Sequence, residues 1–248
     1  MGPIARTVKD AAYILQAIAG VDPRDNYTSA IPNGTLPDYV KACNLSALKG
    51  ARIGIPDNVI PFFRNLITDP EWVAYNQSWS VLREAGATIV ENTYFTGWLS
   101  FLNDNPSTQV LEADFFSNLP NYLKLLTFNP NNVTSLADIQ KFTQSSALEK
   151  YPERDTNLWS DALGRYNNTN PRFWELYSLL QLYGDVGGLL GAIRRDNLDA
   201  VILPSSMSAD FAAGIGAPVV TVPLGSYPNS TAVTKDSWGM VQYAPNLP

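Results

Sequence analysis

The 248-residue sequence contains no histidine and only one cysteine, Cys43. The absence of histidine excludes Ser-His-Asp and Cys-His catalysis, as well as histidine-ligated zinc and copper sites. A single cysteine excludes an intrachain disulfide and a cysteine-rich metal site. We therefore expect no metal and no cofactor, and any chemistry must use Ser, Thr, Lys, Tyr, Asp or Glu.

Charged residues are also scarce, at 16% of the chain, and 23 acidic residues outnumber 17 basic ones. The net charge of −6 disfavours nucleic acid or an anionic membrane surface as a partner. No apolar run reaches the length of about 18 residues that a membrane span requires, so we expect no membrane-spanning segment. The hydrophobic content of 45% is typical of a soluble protein with an ordinary core.

Asparagine, by contrast, is abundant. With 21 asparagines and 34 serines or threonines, chance would produce roughly three N-glycosylation sequons. Seven occur, mostly in stretches rich in Pro, Gly and Asn that are typical of surface loops. The excess predicts a secreted or secretory-pathway glycoprotein, with chance matching in an Asn-rich chain as the alternative. Residues 1–6 show no signal peptide, so we expect the native start to lie upstream. The candidate acceptors are Asn26, Asn33, Asn44, Asn76, Asn132, Asn167 and Asn229.

Residue periodicity predicts an α/β protein, which we interpret as a single incomplete domain over residues 1–248. Thr7 and Asp10 form a capping box for the first helix. Two late apolar runs, at 199–204 and 217–223, are predicted to be strands of a sheet that is buried on both faces. The predicted segments are an N-terminal helix at 1–20, a βαβ unit at 51–90, a mainly helical insert at 99–196 and late strands at 197–248.

Four glycines between positions 184 and 191 could suggest a phosphate-binding loop. They match neither GxGxxG nor GxxxxGK[ST], and no strand precedes them. Their spacing instead predicts one face of a long helix that begins at Asn170-Pro171 and continues to Ile193, where another backbone can pack closely. The glycines are Gly184, Gly187, Gly188 and Gly191.

Serine and lysine can transfer acyl groups without histidine if burial deprotonates the lysine. Of the two Ser-Ser pairs, Ser145-Ser146 lies in a polar stretch and is interpreted as solvated surface. Ser205-Ser206 follows a predicted buried strand, where loops commonly form binding crevices. We interpret this pair as pocket lining or turn capping, with a nucleophile as the alternative, for which the nearest lysine in sequence is Lys235. Carboxylates at Asp104, Glu112 and Asp114 are interpreted as solvated, while a glycosidase-type acid pair stays open.

Several blocks resemble the amidase signature family in the order in which they occur. Residues 2–12, Gly-Pro-Ile-Ala-Arg-Thr-Val-Lys-Asp-Ala-Ala, are similar to the Gly-Pro-hydrophobic-Ala-Arg-x-Val-x-Asp-Ala-Ala block of that family. Together the blocks cover nearly the whole chain, and residues 111–126 and 135–142 look most like fungal amidases of this family. The other similar blocks are 20–25, 48–56, 82–91, 198–205 and 216–223.

The resemblance implies an α/β fold, as part of a mixed β-sheet flanked by helices with an inserted helical layer. It also implies hydrolysis of small-molecule carboxylic amides by a Ser–cis-Ser–Lys triad. In the family that triad precedes the Gly-Pro-x-Ala-Arg block, where this chain has only Met1, so no catalytic residue is transferred. We expect a C-terminal part that is inactive alone and cut at both ends. The residues that the resemblance assigns to a pocket wall are Pro204, Ser205, Ser206, Met207, Ile215 and Gly216.

Two other functions stay open at this point. One is a non-catalytic binding or scaffold protein, and the other is a secreted carbohydrate-active hydrolase that uses two carboxylates. If neighbouring strands are absent, apolar residues at 201–203 and 219–222 are left uncovered, which predicts self-association.

Overall fold

The computed structural model of the chain describes residues 2–237 and 239–247, without the side chains of Phe63, Leu66, Ser206 and Met207. Its strands form a three-stranded parallel sheet and a separate two-stranded antiparallel ribbon. The strands are β1 (Arg52–Pro56), β2 (Thr88–Thr93), β3 (Ala200–Val201), β4 (Thr234–Lys235) and β5 (Val241–Tyr243). The parallel sheet has the order β2-β1-β3, and β4 pairs with β5.

Helices make up most of the remaining regular structure. Within residues 2–237 and 239–247, no helix combines the length and apolarity that crossing a bilayer requires. The helices are α1 (Val8–Ile18), α2 (Tyr39–Ala42), α3 (Ile60–Phe63), α4 (Asp69–Glu84), α5 (Trp98–Asp104), α6 (Pro106–Lys124), α7 (Leu136–Ser145), α8 (Asn157–Gly164), α9 (Pro171–Gly184), α10 (Leu189–Asp196) and α11 (Ser205–Ala213). Short 3-10 turns lie at Asn26–Ala30, Pro32–Gly34, Leu45–Leu48, Arg64–Leu66 and Ala147–Glu149.

The segment β1-α4-β2 forms a parallel crossover. Helix α4 begins at a capping box, because the Thr68 hydroxyl accepts from Glu71 N while the Glu71 carboxylate accepts from Thr68 N at 2.7 Å. The apolar side of α4 packs on the sheet through Tyr75, which is 4% exposed, in a cluster with Ile55 and Ile60. Burial of these side chains, worth about 1.5–3 kcal/mol each, holds α4 against the strands.

A second apolar cluster joins the helical layer to the sheet. Helix α10 contacts all three parallel strands, and α9 contacts α5, α6, α10 and α11. Phe211 of α11 is 4% exposed and packs edge to face on Phe95, with 4.7 Å between ring centroids. The sheet is therefore flanked by helices, as the fold class predicts.

The long helix predicted from Asn170 to Ile193 is wrong in its second half. Its start is as expected, since the Asn170 side chain caps α9 and Pro171 is the first helical residue. The helix ends at Gly184, and a tight turn precedes α10. The four glycines therefore do not share one helix face. They do permit a close backbone approach, because Gly97 N donates to Gly187 O at 2.7 Å.

The strand predicted at 217–223 is also wrong. Residues 217–223 have no regular secondary structure, and no strand of the described chain pairs with them. A strand needs a neighbour for its backbone hydrogen bonds, and Pro218 and Pro223 each lack a donor. The valines of this segment are exposed, with Val220 at 66%. The strand predicted at 199–204 is present but short, because only Ala200–Val201 pairs with β1.

Candidate functional site

The carboxyl ends of the three parallel strands meet at one edge of the sheet, where open α/β sheets commonly bind ligands. The loops after β1 and β2 are tied together there by Asn58. Its Nδ2 donates to Phe95 O at 2.9 Å, and its Oδ1 accepts from Phe95 N at 3.1 Å. These two hydrogen bonds hold the loops after β1 and β2 together, at the edge of the sheet where the chain also leaves β3.

The predicted pocket wall begins at Pro204, three residues after the end of β3. Pro204 has extended backbone angles and immediately precedes α11, and Ser205 is exposed at the first helical position. Packing of Phe211 into the core fixes the helix that presents them. The side chains of Ser206 and Met207, which were predicted for the same wall, lie outside the described part of the chain.

Ile215 and Gly216, the other predicted wall residues, lie at the far end of α11. Helix α11 rises about 12 Å from Ser205 to Ala213, and Ile215 and Gly216 follow its end. Ile215 is half-buried against Gly184, where a β-carbon would lie 2.6 Å from Ile215 Cγ2. Gly216 is exposed and has φ +68°, a left-handed value that favours glycine. The structure therefore does not bring the two predicted groups together.

Two polar residues at the sheet edge were missed from the sequence. Desolvation, together with the nearby Glu91 carboxylate, raises the pKa of the half-buried Asp57 above its usual value. Burial raises the pKa of Tyr75, whose hydroxyl donates to Ile202 O at 3.1 Å and so holds the segment between β3 and α11. Asp57 directly follows the first strand of the predicted βαβ unit, at 52–56, a positional signal that could have identified it.

The lysines that could serve a serine as a base all lie at the surface. All seven are exposed, and no hydrogen bond joins a lysine to any serine whose side chain the structure describes, which leaves out Ser206. The Ser145 hydroxyl donates to Phe142 O at 2.9 Å at the end of α7. The Ser145-Ser146 pair is accordingly part of a helix terminus at the surface.

The carboxylates at Asp104, Glu112 and Asp114, which were interpreted as solvated, have partners in the fold, and the interpretation is wrong for Glu112, which is 8% exposed. Glu112 is buried and accepts from Arg165 Nε at 2.7 Å, while Asp114 accepts from Asn168 Nδ2 at 3.0 Å. Asp104 accepts from the Tyr183 hydroxyl. Among the residues that the structure describes, no group of three or more His, Cys, Asp or Glu side chains could hold a metal ion.

Two cavities lie away from the sheet edge. The larger has a volume of about 460 Å³ and lies between α6, α7 and the connection from α8 to α9. The smaller has a volume of about 240 Å³ and is lined by residues 154–159 with Met240. Of the predicted pocket-wall residues whose side chains are described, Pro204, Ser205, Ile215 and Gly216, none lines either cavity.

Comparisons with known proteins give a consistent result. The Amidase family model matches residues 1–236. A "Putative amidase" of Arthroderma benhamiae is 49% identical over 251 residues, which cover 100% of this chain and 42% of that protein. A "Probable amidase" of Arabidopsis thaliana is 30% identical over 233 residues, which cover 91% of this chain and 42% of that protein.

A solved structure shares the fold. Native peptide amidase from Stenotrophomonas maltophilia superposes with a TM-score of 0.74 at 27% identity, covering 91% of this chain and 47% of that one. The chain thus spans about two fifths of the length of the curated relatives that it matches from end to end.

Proposed function

This chain belongs to the amidase family, and on that premise we propose that it forms a substrate-pocket wall in a hydrolase of small carboxylic amides. The observation that carries the proposal is the position of Pro204 and Ser205. Pro204 caps α11 and Ser205 is its first residue, three and four residues after β3 ends at Val201, at the edge where the carboxyl ends of the parallel strands meet. The amide group of a small-molecule substrate would lie against this edge.

The same proposal holds that the chain alone hydrolyses no amide. A lysine can act as a base only when it is neutral at working pH, which requires a desolvated site. All seven lysines of this chain are exposed, which supports the proposal. The nucleophile and base would come from the part of the relatives beyond the 42% that this chain matches.

A chimera tests the pocket wall. Residues 2–236 of this chain replace the matching segment of the Arthroderma relative, and turnover of small amides is measured. Ser205→Trp should lower kcat/KM by about tenfold or more, because roughly 1.4 kcal/mol of lost binding is a factor of ten. Ser205 is exposed, so the larger indole can be accommodated by the fold.

Asp210→Trp is the matched control for the chimera. Asp210 is also exposed on α11 but lies five residues further, about 1.4 turns on, and so points to another side of the helix. We expect this variant to stay within about twofold of the parent, a change of roughly 0.4 kcal/mol. Equal activity of both variants, or a folded chimera without turnover, would contradict the proposal.

We further propose that the protein is a secreted fungal glycoprotein. Support comes from the excess of sequons over chance and from their exposure in the fold. Six of the seven acceptor asparagines are exposed, and Asn76 on α4 is half-buried. The fungal assignment is supported by the 49% identity to the Arthroderma protein. Self-association through the exposed 219–222 segment is a separate proposal, and its test is given in the Discussion.

A further inference from the structure

The 460 Å³ cavity between α6, α7 and the α8–α9 connection has no place in the proposed amidase function. Its volume lies within the range of small-molecule sites, about 300–1,000 Å³. Apolar side chains form part of its lining, and a sequon forms another part. The apolar residues are Phe116, Pro120, Leu136 and Leu163, and the sequon is residues 167–169.

The sequon is held in a defined conformation beside this cavity. Asn167 Oδ1 accepts from Thr169 N at 3.1 Å and from the Thr169 hydroxyl at 2.6 Å. In the described part of the chain no hydrogen bond engages Asn167 Nδ2, the atom to which a glycan is joined. Asn167 is exposed, so its side-chain nitrogen can be reached from solvent.

The backbone of the sequon is anchored to α6. Asn168 N donates to Ser117 Oγ at 3.0 Å, and Asn168 Nδ2 donates to Asp114 Oδ1 at 3.0 Å. Ser117 in turn donates to Ala113 O at 2.6 Å. These bonds fix Asn167 at the wall of the cavity instead of on a freely moving loop.

We propose that Asn167 carries an N-linked glycan whose first N-acetylglucosamine residues lie in this cavity. The C–H face of a pyranose ring can pack on Phe116 and Leu163, while its hydroxyl and acetamido groups can reach the polar rim. The occupant is identified by its tether, since the acceptor nitrogen belongs to a residue of the cavity wall. This inference rests on the proposed passage through the secretory pathway and is independent of the amidase function.

The modification needs a lipid-diphosphate-linked oligosaccharide and the transferase of the host cell. A bond forms between Asn167 Nδ2 and the anomeric carbon of the first sugar, while the bond from that carbon to the diphosphate oxygen breaks. The diphosphate leaves with the electron pair, and the amide nitrogen loses one proton. No oxidant or reductant takes part.

The Asn132 sequon offers an internal comparison. Asn132 is exposed, has a left-handed φ of +49° and lies outside the lining of both cavities. A glycan there would extend into solvent. The two sites should therefore differ in how readily an enzyme reaches the sugar–asparagine bond, although both sequons end in threonine.

The test uses the full chain, secreted from a glycosylating yeast behind an added signal peptide. Peptide N-glycanase converts each glycosylated Asn to Asp, which mass spectrometry counts over time. On native protein we expect the enzyme to release the glycan from Asn167 about tenfold more slowly than from Asn132. A tenfold ratio corresponds to roughly 1.4 kcal/mol of protection of the sugar–asparagine bond by the cavity. After denaturation the two rates should be equal.

Phe116→Ala should remove the protection by taking one apolar wall from the cavity. Phe128→Ala, at a position that is 78% exposed and outside the cavity lining, is the matched control and should leave it unchanged. If Phe116→Ala fails to fold, the release rates of the native and the denatured parent protein still show whether the glycan at Asn167 is protected by the fold. The inference would be overturned if other sequons carry a glycan while Asn167 carries none. It would also be overturned if the native protein releases its glycans from Asn167 and Asn132 at equal rates. An absence of glycan at all seven sequons would overturn it together with the secretory proposal on which it rests.

Discussion

At the residue scale, Gly188 shows how a single hydrogen in place of a side chain permits the turn between α9 and α10. A β-carbon at this position would lie 2.0 Å from Tyr183 O, well inside van der Waals contact. Tyr183 is itself part of the core cluster that joins α9 to α5 and α11. Any displacement of its backbone would therefore disturb the packing of the helical layer.

Gly188→Ala should lower the free energy of unfolding by about 2–4 kcal/mol, because the backbone must move to relieve the contact. Gly164→Ala is the control, since no atom lies within 4 Å of a β-carbon at this last residue of α8. We expect its effect to be within about 1 kcal/mol, with added stability as the expected sign. Urea denaturation measures both, and equal effects would show that the turn tolerates a side chain.

The polar residues of the sheet edge illustrate what sequence reading can and cannot find. The apolar run before Pro204 and Ser205 predicts their position after a parallel strand, and they lie there. Asn58 and Tyr75 escape such reading because their partners, Phe95 and Ile202, are distant along the chain. Only the fold shows that these side chains fix the same edge.

At the element scale, local signals are sufficient where an element carries its own cap and its own neighbours. Strands β1 and β2 and helix α4 form the βαβ unit predicted at 51–90, with β2 running three residues further, because a short crossover and a cap within the segment define it locally. The end of α9 depends on the contact between Gly97 and Gly187, which are distant along the chain. The lack of a strand at 217–223 depends on a pairing partner that the described chain does not supply. Neither can be derived from periodicity.

The unpaired segment 217–224 is the element from which we expect self-association. Its apolar side chains are exposed, at 48% for Val219, 66% for Val220 and 54% for Val222. Exposed apolar backbone of this kind is a template for association with another chain. Sedimentation should show concentration-dependent oligomers, and the double substitution Val220→Lys with Val222→Lys should raise the concentration for half association about tenfold.

The control is a second double variant that adds the same two lysine charges on helix α4. Val73 and Val81 are 51% and 64% exposed on α4, and their replacement by lysine should leave association close to that of the parent. A parent protein that stays monomeric over the same concentrations would contradict the expectation. An equal response of both double variants would show that net charge, and not the 217–224 segment, controls association.

At the scale of the whole molecule, the chain combines an organised sheet edge with lysines that are all exposed. Its amidase-family match runs from residue 1 to 236, yet every lysine is in contact with solvent. The family can be recognised from the sequence because its blocks occur in order along the chain. The exposure of the lysines cannot be recognised from the sequence, because it depends on how the helices pack.

The most direct test of this account is an amide-hydrolysis assay of the chain alone beside a full-length relative. A panel of small aliphatic and aryl amides is supplied to both at equal molar concentration. We expect turnover by the relative and no product above the enzyme-free background from this chain. Turnover by the chain that a serine-directed phosphonate abolishes would contradict it.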